Sequence, residues 1–391
     1  MFEHEPWNRR RFLQASLTLP ASRYTRLLHG ALLSQDMTAV LPHVAFLGTT
    51  GESPGIHVYR ADGQRWILQQ AIATKAPVSL ALHPDGRMLY VLQELSEWEG
   101  LPRGAVETFQ VETSTGKLRS LGCQGLSLSA IMPRHLAVSP DGTALVVAVQ
   151  GGGAYNLLPI GVDGQLGTVR SIVKETGCGP DAQHQGSARP QTVLFDRNGH
   201  VITADMGSDR LTVFGYDAGL RTLSRHLLPA GSGPRHLALH PSSRRLYVAN
   251  VLSSSIIGLH YDAHAGVIRD QFVQSCEGYG ETLAIHPSSD TLYSSRGDEI
   301  AAWRIAPATG MLSVKQRTRM AATVVHELIA SAEGQALIAV TSCGVARIRV
   351  DSTTGALGNL VSITPMAATR CFTMKPLDTI GAPQLPSMQH R

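Results

Sequence analysis

Residues 78–91 read Val78-Ser79-Leu80-Ala81-Leu82-His83-Pro84-Asp85-Gly86-Arg87-Met88-Leu89-Tyr90-Val91. Two apolar runs of strand length flank a polar turn. Its Pro-Asp-Gly core suits a hairpin, because Pro pre-sets φ and Gly accepts the left-handed region. The unit returns as Leu136-Ala137-Val138, Ser139-Pro140-Asp141-Gly142, Leu145-Val146-Val147. Further copies centre on Asp196-Arg197-Asn198-Gly199, His240-Pro241-Ser242-Ser243, His286-Pro287-Ser288-Ser289, Ser331-Ala332-Glu333-Gly334 and Lys375-Pro376. The second residues of these turns are 84, 140, 197, 241, 287, 332 and 376, giving steps of 56, 57, 44, 46, 45 and 44. Between copies lies another turn, ending in glycine: Asp62-Gly63, Thr115-Gly116, Asp163-Gly164, Ala218-Gly219, Ala265-Gly266, Thr309-Gly310 and Thr354-Gly355. Each period therefore holds four strands: a, polar turn, b, loop, c, Gly turn, d. A period of about 45 residues with four strands is that of a propeller blade. Seven copies predict an all-β, seven-bladed β-propeller with four antiparallel strands per blade.

The ends predict how the ring closes. The first Gly turn is preceded by only two strands, His43–Thr49 and Ile56–Arg60, which read as b and c, with Trp66–Ala71 as d. The missing strand a is supplied by Cys371-Phe372-Thr373-Met374, which leaves no open sheet edge. The propeller is expected over 41–377, with an N-terminal segment 1–40 and a tail 378–391. Within that segment, Arg9-Arg10-Arg11-Phe12-Leu13 followed by Ala15–Ala21 is like a twin-arginine signal, interrupted by Arg23 and Arg26. A working signal implies the periplasm and a degenerate one the cytoplasm.

Composition narrows the function classes. The 391 residues carry a net charge of only +4, with no Lys/Arg cluster interleaved with aromatics, so nucleic acid is not an expected partner. No apolar run is long enough for a membrane span. The cysteines, Cys123, Cys178, Cys276, Cys343 and Cys371, are scattered, without metal-ligand or disulfide-framework spacing, and read as buried or half-buried thiols. A metal-free, cofactor-free monomer is expected.

In a propeller the strands a line the channel, and the d-to-a and b-to-c loops meet at one mouth. Entering strand a are Arg134-His135, Arg189-Pro190-Gln191, Arg235-His236, Glu281-Thr282 and His326-Glu327; following strand b are Gln93-Glu94, Gln150-Gly151, Asp205, Asn250-Val251 and Ser295-Arg296. Four arginines from different blades at one mouth suit a small anionic ligand, because guanidinium pairs bidentately with carboxylate or phosphate. The alternative is that they pair with Glu94, Asp205, Glu281 and Glu327 and tie blades together. The histidines of the three His-Pro turns lie at the opposite end and read as turn residues.

Gly231-Ser232-Gly233-Pro234-Arg235-His236-Leu237, running on to Leu246-Tyr247-Val248-Ala249-Asn250, resembles the bacterial propeller-type lactonase family. So do Leu47-Gly48-Thr49-Thr50, Gly151-Gly152-Gly153 and Asp205-Met206-Gly207-Ser208-Asp209-Arg210. That family includes the propeller form of 6-phosphogluconolactonase and the fungal carboxy-muconate lactonizing enzyme. The resemblance implies a metal-free site of one His, one Glu and two Arg. It places the arginines at Arg235 and Arg296, with Gln191 standing for the histidine and Val251 for the glutamate. His135, His236, Glu94 and Glu281 are then the rim's candidate bases, and Arg134, Arg189, Gln191, Glu94, Asp205 and Glu281 its candidate substrate contacts. The function expected is hydrolysis of a small anionic lactone or sugar-phosphate lactone. The alternatives are a non-catalytic propeller binding an anionic ligand or partner protein, or a lactonizing isomerase.

Overall fold

A computed structural model describes residues 43–377 apart from 63–64, 273–277, 289 and 321–322. The twin-arginine-like segment, Cys276 and the tail from 378 lie outside the described residues.

All secondary structure there is strand, in seven four-stranded antiparallel sheets. Each period forms one blade: β4 to β7 (Pro77–Leu82, Met88–Gln93, Ala105–Val111, Leu118–Gly125) make blade 2. The inner strands of blades 3 to 7 are β8 (Pro133–Val138), β12 (Pro190–Phe195), β16 (Pro234–Leu239), β20 (Leu283–Ile285) and β24 (Val325–Ala330). Blade 1 takes its inner strand from the far end of the chain, in the order β28-β1-β2-β3, where β1 is His43–Thr49, β2 Gly55–Asp62, β3 Arg65–Ala73 and β28 Thr369–Pro376. The expected closure is present, with Gly48 opposite Cys371 and His43 opposite Pro376.

The core lies between blades. Strand β5 is buried along its length, and β1 is buried from Val44 onward, whereas the outer strand β7 alternates with solvent. Val44, Phe46, Ile56 and Val58 of blade 1 pack on Leu89, Val91, Phe109 and Val111 of blade 2. Polar staples repeat with the blades. Tyr90, Tyr247 and Tyr293 of strands b each donate to the carbonyl of the next blade's Gly turn, at Gly164, Gly310 and Gly355, over 2.7–2.8 Å. The turn histidines His83 and His286 bridge likewise to the carbonyls of Gly142 and Gly334. Gly116, Gly164, Gly266, Gly310 and Gly355 take the expected left-handed conformation; Gly219 does not. The described thiols depart from expectation: Cys123, Cys178 and Cys343 are exposed, because their loops and outer strand face solvent, and of these four cysteines only Cys371 is buried. No described helix is long and apolar enough to cross a membrane.

A chain ending at Met366 loses β28 alone. Strand β1 then presents unpaired backbone groups to the channel. The expected outcome is protein that is insoluble or lacks a cooperative melt by circular dichroism. A soluble, cooperatively melting truncation contradicts the closure.

Candidate active site in the channel mouth

Six of the seven inner strands break register at the same place. The pairing steps from Pro77 to Ser79, Pro133 to His135, Pro190 to Thr192, Pro234 to His236, Val325 to Glu327 and Thr369 to Cys371, each time skipping one residue. This is a β-bulge, in which two residues face one on the partner strand. A regular strand sends neighbours to opposite faces; the bulge lets both members of each pair reach the channel. The result is two stacked rings. The skipped residues Val78, Arg134, Gln191, Arg235, His326 and Arg370 form one, and Ser79, His135, Thr192, His236, Glu327 and Cys371 the other. All twelve line one cavity of about 120 Å³. By sequence repeat, Glu281 and Thr282 are blade 6's members, although that strand starts only at Leu283.

The first ring is cationic. Arg134 Nη1 lies 2.9 Å from Glu94 Oε1, and Arg370 Nη2 lies 3.9 Å from Glu94 Oε2, so one carboxylate serves two guanidiniums. Arg235 makes no side-chain hydrogen bond or ion pair among the described residues. Burial, together with the charges of Arg134 and Arg370, lowers its pKa, and only Glu281 opposes that. Arg235 is thus a third guanidinium beside two others, with no ion pair of its own among the described residues.

The second ring staples blades. Leu136 N–H donates to Ser79 Oγ, Val193 N–H to His135 Nδ1 and Leu283 N–H to His236 Nδ1, over 3.3–3.4 Å, each from the next blade. With Nδ1 accepting, the proton of each imidazole is assigned to Nε2. Burial pushes the pKa of His135 down to about 4, and burial plus His135 and Arg235 pushes that of His236 down to about 3. Both are neutral rings with one N–H to offer. Cys371 Sγ packs against Gly48, and burial drives its thiol pKa well up.

The cavity gathers Arg134, His135, Gln191, Arg235 and His236 of the sequence-predicted site, with Glu94 behind it. The remaining four do not line it. Arg189 precedes the bulge and its Nη1 donates to the His184 carbonyl. Asp205, 2 % exposed, has Oδ1 occupied by the N–H groups of Arg189, Gly207 and Ser208. Glu281 accepts the Gly297 N–H, and Arg296 lies exposed over Gly278. Gln191 is held by its amide on Gln150 Oε1 and the Arg189 carbonyl, and Val251 is outside the cavity lining, its N–H on the Gly233 carbonyl. Sequence reasoning missed Arg370, which sits on the closing strand, and placed Glu327 only as an ion-pair partner. The Thr-Arg-Cys-Phe at 369–372 matches Pro-Arg-His-Leu at 234–237 in position, and that signal was available.

Arg235→Met removes the repulsion. We expect a higher melting temperature than wild type in anion-free buffer, and loss of the rise that millimolar phosphate gives wild type. A lower melting temperature, or an unchanged phosphate response, contradicts the unpaired-guanidinium reading.

Comparison with known proteins accords with this architecture. Residues 44–374 match the family model described as lactonase, 7-bladed β-propeller. A 6-phosphogluconolactonase of Bacillus subtilis (strain 168) is 27 % identical over 297 residues, covering 70 % of this chain and 81 % of the relative. The 6-phosphogluconolactonase of Pectobacterium carotovorum subsp. carotovorum (strain PC1) is 29 % identical over 262 residues, covering 62 % of this chain and 71 % of the relative. The solved periplasmic gluconolactonase of Pseudomonas aeruginosa has the same fold, with a TM-score of 0.77 at 21 % identity over 86 % of this chain and 100 % of that one. With the match running from the first propeller strand into the closing one, the chain belongs to the seven-bladed β-propeller lactonase family.

Proposed function

We propose that this protein hydrolyses a small anionic sugar lactone, of the 6-phosphogluconolactone type, in the channel mouth. The observation that carries the reading is the unpaired Arg235 beside Arg134 and Arg370. Family membership and the names of the relatives support it. Ring opening needs a positioned water, a group to take its proton and donors for the oxyanion that forms on the carbonyl oxygen. One guanidinium can hold the substrate's phosphate or carboxylate while another, with the Nε2–H of His135 or His236, faces the carbonyl oxygen. The ring oxygen leaves as the hydroxyl of the product acid.

Gln191, tied down by its amide, favours a second reading in which the propeller binds an anion without turning it over. Freshly prepared 6-phosphogluconolactone, followed by proton release against its spontaneous hydrolysis, separates the two. We expect acceleration by the wild type and a loss of roughly 10²-fold or more in kcat/KM in Arg235→Ala, as when a charge-stabilising donor is removed. A wild type no faster than buffer leaves the anion-binding propeller.

A further inference from the structure

We infer that, given the lactone-hydrolysing role proposed above for this cavity, Glu327 is the catalytic base that takes the proton of the attacking water. The assignment starts from geometry. Glu327 is the second-ring residue of blade 7, delivered by the bulge between Val325 and Glu327, and it lines the cavity that holds Arg235, Arg370 and Arg134. Its carboxyl makes no hydrogen bond or ion pair among the described residues. The bases read from the rim are engaged elsewhere: His135 and His236 accept backbone N–H groups at Nδ1, Glu94 holds two arginines and Glu281 accepts the Gly297 N–H. Glu327 is left as a carboxyl facing the cavity with its lone pairs free.

Its surroundings suit the role. Cys371 of blade 1 is close enough to feel its charge, His326 precedes it on its own strand, and Arg370, Arg134, Arg235, His135 and His236 line the same cavity, with Glu281 at the matching position of blade 6. Burial pushes the Glu327 pKa up to about 7, close to where a general base works best at neutral pH. Burial and the charges of Arg370 and Arg235 lower the pKa of His326, which weakens it as a competing base. In the step, water oxygen bonds to the lactone carbonyl carbon and its proton moves to Glu327. The acyl–oxygen bond of the ring then breaks and Glu327 returns the proton to the departing ring oxygen. The product hydroxy acid loses its carboxylic proton to solvent, and the carboxylate of Glu327 is regenerated.

The sign of the pH dependence follows. A base must be deprotonated, so wild-type kcat/KM should climb as pH rises through about 7 and then level off. The test compares wild type, Glu327→Gln and Glu327→Asp on freshly prepared 6-phosphogluconolactone between pH 5.5 and 8 by about half-unit steps, with the 6-phosphogluconate-induced melting shift read in parallel. We expect Glu327→Gln to lose about 10²–10⁴ in kcat and the limb near pH 7, yet keep the melting shift, and Glu327→Asp to recover part of the rate. The retained shift shows that the variant is folded and its arginines competent. A Glu327→Gln protein as fast as wild type, or one keeping an acidic limb from His326, overturns the assignment and leaves the lactonase reading intact. A wild type no faster than buffer overturns the lactonase reading and the assignment with it.

Discussion

Pairing of β28 with β1 is the constraint on which the rest depends. A propeller blade is a twisted sheet whose inner strand would be an open edge unless the blades are set in a ring, and a ring needs its two ends joined. Here the join is made by backbone hydrogen bonds between residues more than three hundred positions apart, with Phe372 packed on Trp66 and beside Leu47. The same strand delivers Arg370 and Cys371 to the mouth. Folding and function thus share one element: until the last strand docks, the cationic ring lacks one of its three arginines.

The bulges turn that scaffold into a site. By suspending the alternation of the inner strand, each bulge gives the channel two adjacent side chains in place of one. Proline precedes the skipped residue in four of the six bulged strands, at Pro77, Pro133, Pro190 and Pro234, where the strand begins and a missing N–H is tolerated. The two rings divide the labour. The first ring concentrates positive charge with too few carboxylates to neutralise it. The second uses Ser79, His135 and His236 to cap N–H groups of neighbouring blades and leaves Glu327 without a partner among the described residues. Low dielectric at the mouth strengthens an incoming anion's interaction with Arg235.

The sequence made the fold legible because turn chemistry repeats. Seven polar turns and seven Gly turns in step leave little freedom, and even the shared blade follows from the unmatched ends. Much of the mouth was legible too, since Arg134-His135 and Arg235-His236 sit at the same place in the period. What escaped were facts of partnership. That Asp205 spends itself on three N–H groups, and that Glu94 serves Arg134 and Arg370 together, depends on loop geometry with no periodic signature. Arg370 was hidden by its position on a strand displaced to the far end of the chain. The histidines looked like bases by type; their Nδ1 contacts across blades make them staples.

The central claim is that the two rings form an anion-binding reaction site, and a crystal structure of the protein with 6-phosphogluconate tests it most directly. The account predicts the phosphate or the carboxylate within hydrogen-bond distance of Arg235, shared with Arg134 or Arg370, and the other end of the ligand reaching the ring that carries Glu327. Ligand density on the opposite face, in the groove lined by Arg197, Arg221 and His264, with the mouth holding only solvent, would contradict it.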